Sequence, residues 1–289
     1  MHNNNSAKNQ GTLYVVGTPI GNLKDITLRA VETLRSVEVV AAEDTRVSRK
    51  LISALGIKKK LISHHMHNEK QSTNKIVSML EKGLCVALVC DSGTPCVSDP
   101  GVALIERSRM LGIEVLTVPG PSALTAALSV CGMSLSSVHF YGFLPQKQTL
   151  RSAILTKAAE RDGLQVFYES PHRLRKTLKD FSSSFGLKRS ITICKELTKI
   201  HEKTKKFTIS ALIKSIDVED FDIRGEFVLI LEGVDDVSPK LPLDRFEPIF
   251  KKLFKKMSLK EAVTLVAELS GESRKKLYSV ALRVKEIVV

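Results

Sequence analysis

Residues 85–101, CVALVCDSGTPCVSDPG, restrict the fold more than any other stretch of this chain. A short apolar run from Val86 to Val89 stops abruptly at Asp91. Gly93, Pro95, Pro100 and Gly101 follow, and these neither prolong a strand nor open an ordinary helix. Such a run reads as a buried parallel strand, and α/β sheets bind ligands just past the carboxyl ends of their strands. The pattern recurs. LYVV (13–16) leads into GTPIGNLKD, with Thr27 placed to cap a helix carrying Leu28, Val31 and Leu34. VEVVAA (37–42) ends at Glu43-Asp44-Thr45-Arg46, and CVALVC is followed by a helix over 102–111. IEVLTV (113–118) ends at Pro119-Gly120-Pro121-Ser122, before an Ala-rich helix over Ala123–Val130. In the second half LQVFY (164–168) ends at Glu169-Ser170-Pro171-His172-Arg173, where Ser170 suits an N-cap and Pro171 the first helical position. ITIC (191–194) ends at Lys195-Glu196-Leu197-Thr198-Lys199, and Arg224-Gly225-Glu226 opens FVLILEG (227–233). This alternation predicts an α/β fold with largely parallel sheets, split near residues 119–145 into two halves.

At 289 residues the chain has room for two or three domains. The boundaries read as a disordered polar lead-in over 1–11, an N-terminal α/β domain over 12–120 and a second over 121–233. A Pro-containing linker over 234–243 and a helical domain over 244–289 follow. In that last segment Phe246, Ile249, Phe250, Leu253 and Phe254 share one helical face, and two further helices meet at Gly271 in a helix-turn-helix-like pattern. The net charge of +13 favours a polyanionic partner, and residues 241–289 carry eleven Lys/Arg against six Asp/Glu. No apolar run approaches the roughly 18–20 residues of a membrane span, and the Asn-rich start is no secretory signal, so no membrane role is expected. Five cysteines without CxxC spacing read as reduced core residues of a cytoplasmic protein.

GTPIG (17–21) has neither the spacing of a dinucleotide fingerprint nor the Gly-Lys-Ser/Thr of a P-loop. With DSGTP and PGPS at the ends of sister strands, however, three Gly/Pro loops can converge on one crevice. Glu43-Asp44-Thr45-Arg46 sets two carboxylates beside a guanidinium, which suits a structural ion-pair cluster as well as a catalytic one. In SHHMHNE (63–69), His65 and His67 fall on one face if extended. Without a third ligand at fixed spacing they read as a polar substrate-facing loop, and no metal is called for. Arg173, Arg175, Lys176 and Lys179 after Pro171, and Lys147, Arg151, Lys157 and Arg161 after the loop GFLPQ (142–146), suit either a solvated flank or a phosphate-contacting surface. Trp is absent and aromatics make up 5%, which argues against recognition by stacked single-stranded bases.

Taken in order, VVGTPIGNLKDIT, AAEDTR, HHMHNE, DSGTPCVSDPG, VPGPSALTAAL, GFLPQK, FYESPHRL, KELTK and RGEFVL resemble the bacterial 16S rRNA (cytidine-2′-O)-methyltransferase family, of the tetrapyrrole methylase superfamily. The resemblance runs from about residue 12 to 233, and the tail is similar to the family's C-terminal domain. It implies two α/β domains clasping S-adenosylmethionine in the cleft between them, a small C-terminal helical domain and a homodimer. The implied substrate is a cytidine ribose in 16S rRNA at the decoding centre of the assembled small ribosomal subunit. By position, the cofactor contacts it implies are Asp91, Ser92, Gly93, Thr94, Ser122, Ala123, Tyr168 and Glu169, with Gly17 and Pro19 nearby. Met66 stands where the family commonly has an acid, and Lys195 replaces a frequent Arg.

Methyl transfer from a sulfonium to a ribose hydroxyl is an in-line displacement that needs alignment, exclusion of water and a group to take the hydroxyl proton. The catalytic candidates are Glu43 and Asp44, to orient the ribose, and the pair Lys195-Glu196, to complete the pocket. The RNA-contacting candidates are Arg46, Lys147, Arg151, Arg173 and Arg175, and in the tail Lys251, Lys255, Arg274 and Lys275. The alternatives are methylation of a precorrin-like tetrapyrrole and a non-catalytic RNA-binding assembly factor.

Overall fold

The computed structural model describes residues 10–135, 137–234 and 243–288. The chain forms two compact units, Met1–Val234 and Asp235–Val289.

The first unit opens with a sheet of β1 (Leu13–Val16), β2 (Val39–Ala42), β3 (Lys60–Ser63), β4 (Val86–Val89) and β5 (Val115–Val118). Their spatial order is β3-β2-β4-β1-β5, and every neighbouring pair is parallel. Helices α1 (Leu28–Ser36), α2 (Thr45–Ala54), α3 (Glu69–Glu81) and α4 (Val102–Met110) cover it. Ala30, Leu34 and Ile52 pack on one face against Val16, Val40 and Ala87. Ile76, Leu80 and Leu104 pack on the other against Leu13, Val39 and Leu88. Burial on both faces is why β2 and β4 are unbroken apolar runs. The Thr27 hydroxyl accepts from the Ala30 N–H and starts α1, as its spacing predicts. Neighbouring strands β1 and β4 are followed by helices on opposite faces, so their loops part and leave a crevice at their carboxyl ends.

Helix α5 (Ala123–Val130) precedes a second sheet of β6 (Val138–Phe143), β7 (Leu164–Glu169), β8 (Ser190–Lys195), β9 (Lys203–Thr208) and β10 (Phe227–Glu232). Its order is β6-β7-β10-β8-β9. Here the expectation of largely parallel pairing is corrected: β6 and β7 are parallel, but β10 runs antiparallel to both β7 and β8, and β8 to β9. The β8–β9 connection, 196–202, is shorter than the dozen or more residues of a parallel crossover, so the chain turns back as a hairpin. Helices α6 (Gln148–Ala159), α7 (Pro171–Phe185) and α8 (Ile209–Asp217) bury Leu155, Phe181 and Leu212 against Phe167, Ile193 and Leu229. The opposite face, with Val166, Cys194 and Val228, receives Ala127 of α5 and Ile20 from the loop after β1.

Several local expectations change. Gly142 and Phe143, read as loop, finish β6, with a register shift between Phe140 and Gly142. The His stretch is not extended: the Asn68 N–H donates to the His65 carbonyl, and the Asn68 side-chain oxygen accepts from the His65 N–H. Residues 1–9 of the expected lead-in and 235–242 of the expected linker lie outside the described residues. Gly11 already belongs to the fold, its N–H donating to the Leu80 carbonyl.

Arg151, expected on an RNA-contacting surface, is a buried structural residue. Its side chain is 3% exposed, with Nε 2.6 Å from Asp180 Oδ2 and Nη1 donating to the Pro145 and Gln146 carbonyls. The second unit holds a 3₁₀ turn (Leu243–Phe246), α9 (Glu247–Leu253), α10 (Leu259–Ser270) and α11 (Arg274–Val288) around Phe250, Val266, Leu277 and Val284. A reciprocal Ser258–Glu261 cap starts α10, and Gly271 ends it in the left-handed conformation at φ 72°. Ile249, expected on the buried face, is 43% exposed.

Replacing Arg151 by Ala strips Asp180 of its buried partner. A loss of about 3 kcal/mol in stability is expected, read as a lower urea midpoint. A wild-type midpoint with weakened RNA binding would return Arg151 to the RNA surface.

Candidate active site

The three Gly/Pro loops meet beyond the ends of β1, β4 and β5. A Cβ on Gly17 would lie 2.8 Å from the Gly120 backbone, so the first and third loops touch main chain to main chain. The Thr18 N–H donates to the Gly93 carbonyl at 2.8 Å and the Gly93 N–H to the Thr18 carbonyl at 3.2 Å, tying the first loop to the second. The Thr94 hydroxyl donates to the Pro121 carbonyl at 3.2 Å, tying the second to the third. Gly17 and Pro19, expected near the ligand, are absent from the cleft wall. Gly17 supports the loops through its contact with Gly120, and Ile20 is the residue of this loop that reaches the cleft.

These loops and the end of the second sheet enclose a cleft of about 460 Å³, within the usual range for a small-molecule site. Asp91, Ser92, Gly93, Thr94, Ser122, Ala123, Tyr168 and Glu169 all line it, together with Glu43. Tyr168 lines the cleft, and burial raises its pKa against the opposing pull of the Leu124 backbone and the Ser122 side chain. Glu169 ends the same strand, but its carboxylate is committed to α7: Oε1 accepts from the Ser170 N–H at 2.8 Å, Oε2 bonds the Thr177 hydroxyl, and Arg173 Nε lies 3.6 Å away. That bond replaces the expected side-chain cap from Ser170, which makes none.

Charge in the cleft is one-sided. Glu43, Asp91, Asp99, Glu169 and Glu226 line it, and among the described residues no Lys or Arg does. Burial, then the neighbouring Glu43, pushes the Asp99 carboxyl up to about 7. Burial also raises Glu43, helped by Asp91, and raises Asp91 against the pull of the Asp44 N–H.

The other expected catalytic groups stand apart. Asp44 caps α2 and is gripped by Arg46, Nη2 lying 2.6 Å from Oδ2, which holds its carboxyl down at about 2; it does not line the cleft. Lys195 shares the β8 face of Ile191 and Ile193, away from the cleft-lining Cys194, and its Nζ bonds the Asp222 carboxylate at 2.8 Å and carbonyl at 2.9 Å. Glu196 binds Lys199 Nζ and the Glu226 N–H. Of the RNA candidates, Arg46 and Lys147 are exposed, Arg175 pairs with Asp217 at 2.8 Å, and Arg173 donates to the Leu144 carbonyl at 2.6 Å. In the second unit Lys251, Lys255, Arg274 and Lys275 are all exposed. Sequence reading missed Asp99, Phe143 and Glu226; the one available signal was Ser98-Asp99-Pro100, inside the loop already singled out.

A raised carboxyl makes the native state bind more protons than the unfolded chain between about pH 4 and pH 7, so stability falls as pH rises through that window. Asp99→Asn should flatten this fall in urea midpoints measured at about pH 5 and about pH 8; an unchanged pH dependence would refute the assignment.

Comparison with known proteins agrees with the geometry. A family model described as Tetrapyrrole (Corrin/Porphyrin) Methylases matches residues 12–213, and one described as RsmI C-terminal HTH domain matches residues 244–285. The chain is 41% identical over 272 residues to "Ribosomal RNA small subunit methyltransferase I" of Neisseria meningitidis strain MC58, covering 94% of this chain and 93% of that protein. With the protein of the same name from Escherichia coli O157:H7 it shares 38% over 283 residues, 98% of this chain and 99% of the other. Among solved structures, a cobalt precorrin-4 methyltransferase superposes with a TM-score of 0.58 at 17% identity, over 76% of this chain and 94% of that one. A uroporphyrin-III-C-methyltransferase from Thermus thermophilus gives 0.55 at 18%, over 77% and 94%. Methyltransferases of this family use S-adenosylmethionine. The cleft fits such a ligand: its apolar side chains suit a nucleoside, and its carboxylates suit a cation. The chain belongs to the tetrapyrrole methylase family, in the branch of the ribosomal RNA small subunit methyltransferases I.

Proposed function

We propose that this protein methylates the 2′-hydroxyl of a cytidine ribose in 16S rRNA, using S-adenosylmethionine and acting as a cytoplasmic homodimer on the assembled small ribosomal subunit. The observation that carries the reading is the division of charge: a chain of net +13 whose cleft is walled by carboxylates without Lys or Arg among the described residues. A cation belongs inside and a polyanion outside. When bound, the cofactor supplies a methyl group already activated by a cationic sulfur.

The protein then has to hold, orient and dry the reactants. Ser92, Gly93 and Thr94 on one side, and Ser122, Ala123 and Tyr168 on the other, would hold the cofactor; Glu43, Asp91 and Asp99 face its charge. Glu43 also stands next to exposed Arg46 through the turn into α2, which suits a ribose entering with its phosphate held outside. Lys147 and the exposed Lys251, Lys255, Arg274 and Lys275 of the helical unit would contact phosphates elsewhere on the RNA. Exposed Leu116 on β5, Val130 on α5, Leu135 before β6 and Val138 at its start offer the apolar surface for a second copy. The names of the relatives and the basic exterior favour rRNA over a tetrapyrrole.

Methyl-labelled S-adenosylmethionine should label small subunits from a strain lacking the modification, at one ribose, while naked rRNA and a tetrapyrrole precursor stay unlabelled. Cofactor binding without transfer to any RNA would sink the reading. Lys251→Gln, Lys255→Gln and Lys275→Gln together should weaken subunit binding and lower the slope of log K against log salt by about one for each phosphate no longer bound. An unchanged slope would remove these lysines from the RNA interface.

A further inference from the structure

The chain leaves β6 through a loop whose backbone is fixed at three successive carbonyls. Arg173 Nη2 donates to the Leu144 carbonyl at 2.6 Å, and Arg151 Nη1 donates to those of Pro145 and Gln146 at 3.1 and 2.8 Å. Arg151 is itself buried against Asp180, and Leu144 is buried in the core on one face of the second sheet. Two guanidiniums that read as RNA contacts in the sequence therefore brace a loop. Exposed Phe143 stands just before the braced carbonyls, and exposed Lys147 just after them, at the start of α6.

A bulge in β6 turns Phe143 toward the cleft. Phe140 pairs with Val166 and Phe143 with Tyr168, so β6 takes one more residue than β7 over the same span. In an unbroken register Gly142 would lie opposite Tyr168, and Phe143 would point to the other face of the sheet. The extra residue reverses that, as bulges beside binding sites do. Gly142 carries the bulge at φ 61°, and a Cβ there would lie 2.5 Å from Ser98 Oγ, in the loop after β4. The Phe143 and Tyr168 rings meet edge to face, with centroids 5.6 Å apart. Phe143 is nonetheless 54% exposed, whereas Ile20, Leu197, Phe227 and Val228, which line the cleft with it, are buried. Its ring forgoes the burial that stabilises its neighbours, on a loop too well braced to fold it away.

We propose that Phe143 is the platform on which the base of the target nucleotide stacks while its ribose enters the cleft. The inference rests on the reaction proposed above and adds how the substrate is seated. A ribose within folded rRNA reaches a cleft only if its nucleotide leaves the stack, and the base then needs a new partner for its face. Phe143 and Tyr278 are the exposed Phe and Tyr side chains among the described residues, and Tyr278 belongs to the other unit. So few rings rule out a track of stacked bases and suit a seat for a single one. The carboxylates of the cleft repel phosphate, so the nucleotide enters sugar first and leaves its phosphates to exposed cations such as Lys147.

The chain contains no Trp, so Phe143→Trp made with azatryptophan carries one fluorescent label, at the site itself and distinct from the tryptophans of ribosomal proteins. Small subunits from a strain lacking the modification should quench this label by stacking, and S-adenosylmethionine alone should leave it unchanged. Quenching by the cofactor alone would give the ring to the adenine, and no quenching by either would leave it without a ligand; each result overturns the inference. Phe143→Ala should lower kcat/KM for small subunits about 5- to 150-fold, the range expected for one lost base–aromatic stack, with the Kd for S-adenosylmethionine within about twofold of wild type. Phe143→Tyr should keep most of the activity and Phe143→Leu should recover little, because the ring and not its apolar bulk is required. Full activity in Phe143→Leu, or a loss in Phe143→Ala that more cofactor restores, would overturn the assignment. An active wild type with an equally active Phe143→Ala refutes this inference alone, whereas an inactive wild type refutes the reaction itself.

Discussion

The contact on which the rest of the structure depends is between two stretches of main chain. Gly17 and Gly120 approach so closely that a Cβ on either would meet the other's backbone, and Thr18 and Gly93 exchange hydrogen bonds beside them. These contacts bring the ends of β1, β4 and β5 to one point, so that their loops together wall the cleft. The same clamp sends Ile20 onto the second sheet, where it packs among Ala127, Val166 and Cys194.

That arrangement carries a charge pattern opposite to the rest of the molecule. Carboxylates gather where loops from β2, β4 and β7 meet, while lysines and arginines stay outside or pair locally, as Arg46 does with Asp44. Burial is the main cause that raises Glu43, Asp91 and Asp99; Asp91 adds to the rise of Glu43, and Glu43 and Asp91 to that of Asp99.

Much of the first sheet was legible in the sequence, because strands buried on both faces must be unbroken apolar runs and their loops must use Gly and Pro. The second sheet was less so. Its edge strand β9 (KTKKFT) carries lysines that blunt an exposed edge and disguise a strand. The antiparallel insertion of β10 leaves no local trace, since a strand's direction in a sheet depends on partners distant in the chain. Lys195 and Cys194 adjoin in sequence yet face opposite sides of β8, so a motif at a strand end does not say which residue meets the ligand. Arg151 and Arg175 look alike as sequence, but one is buried against Asp180 and the other rides in water beside Asp217.

By itself the sequence determined the alternation of strands and helices, the Gly/Pro loops, the cap at Thr27, the helix break at Gly271, and the family those motifs resemble. These depend on periodicity and local backbone chemistry, which a linear string records. Only the tertiary structure decided which carboxylates share the cleft. Asp99 lines the same cleft as Glu43, far from it in sequence, and Asp44, one residue away from Glu43, is turned outward by the start of α2. Proton affinity follows burial and the charges within a few ångströms, and those distances exist only once β2 and β4 lie side by side.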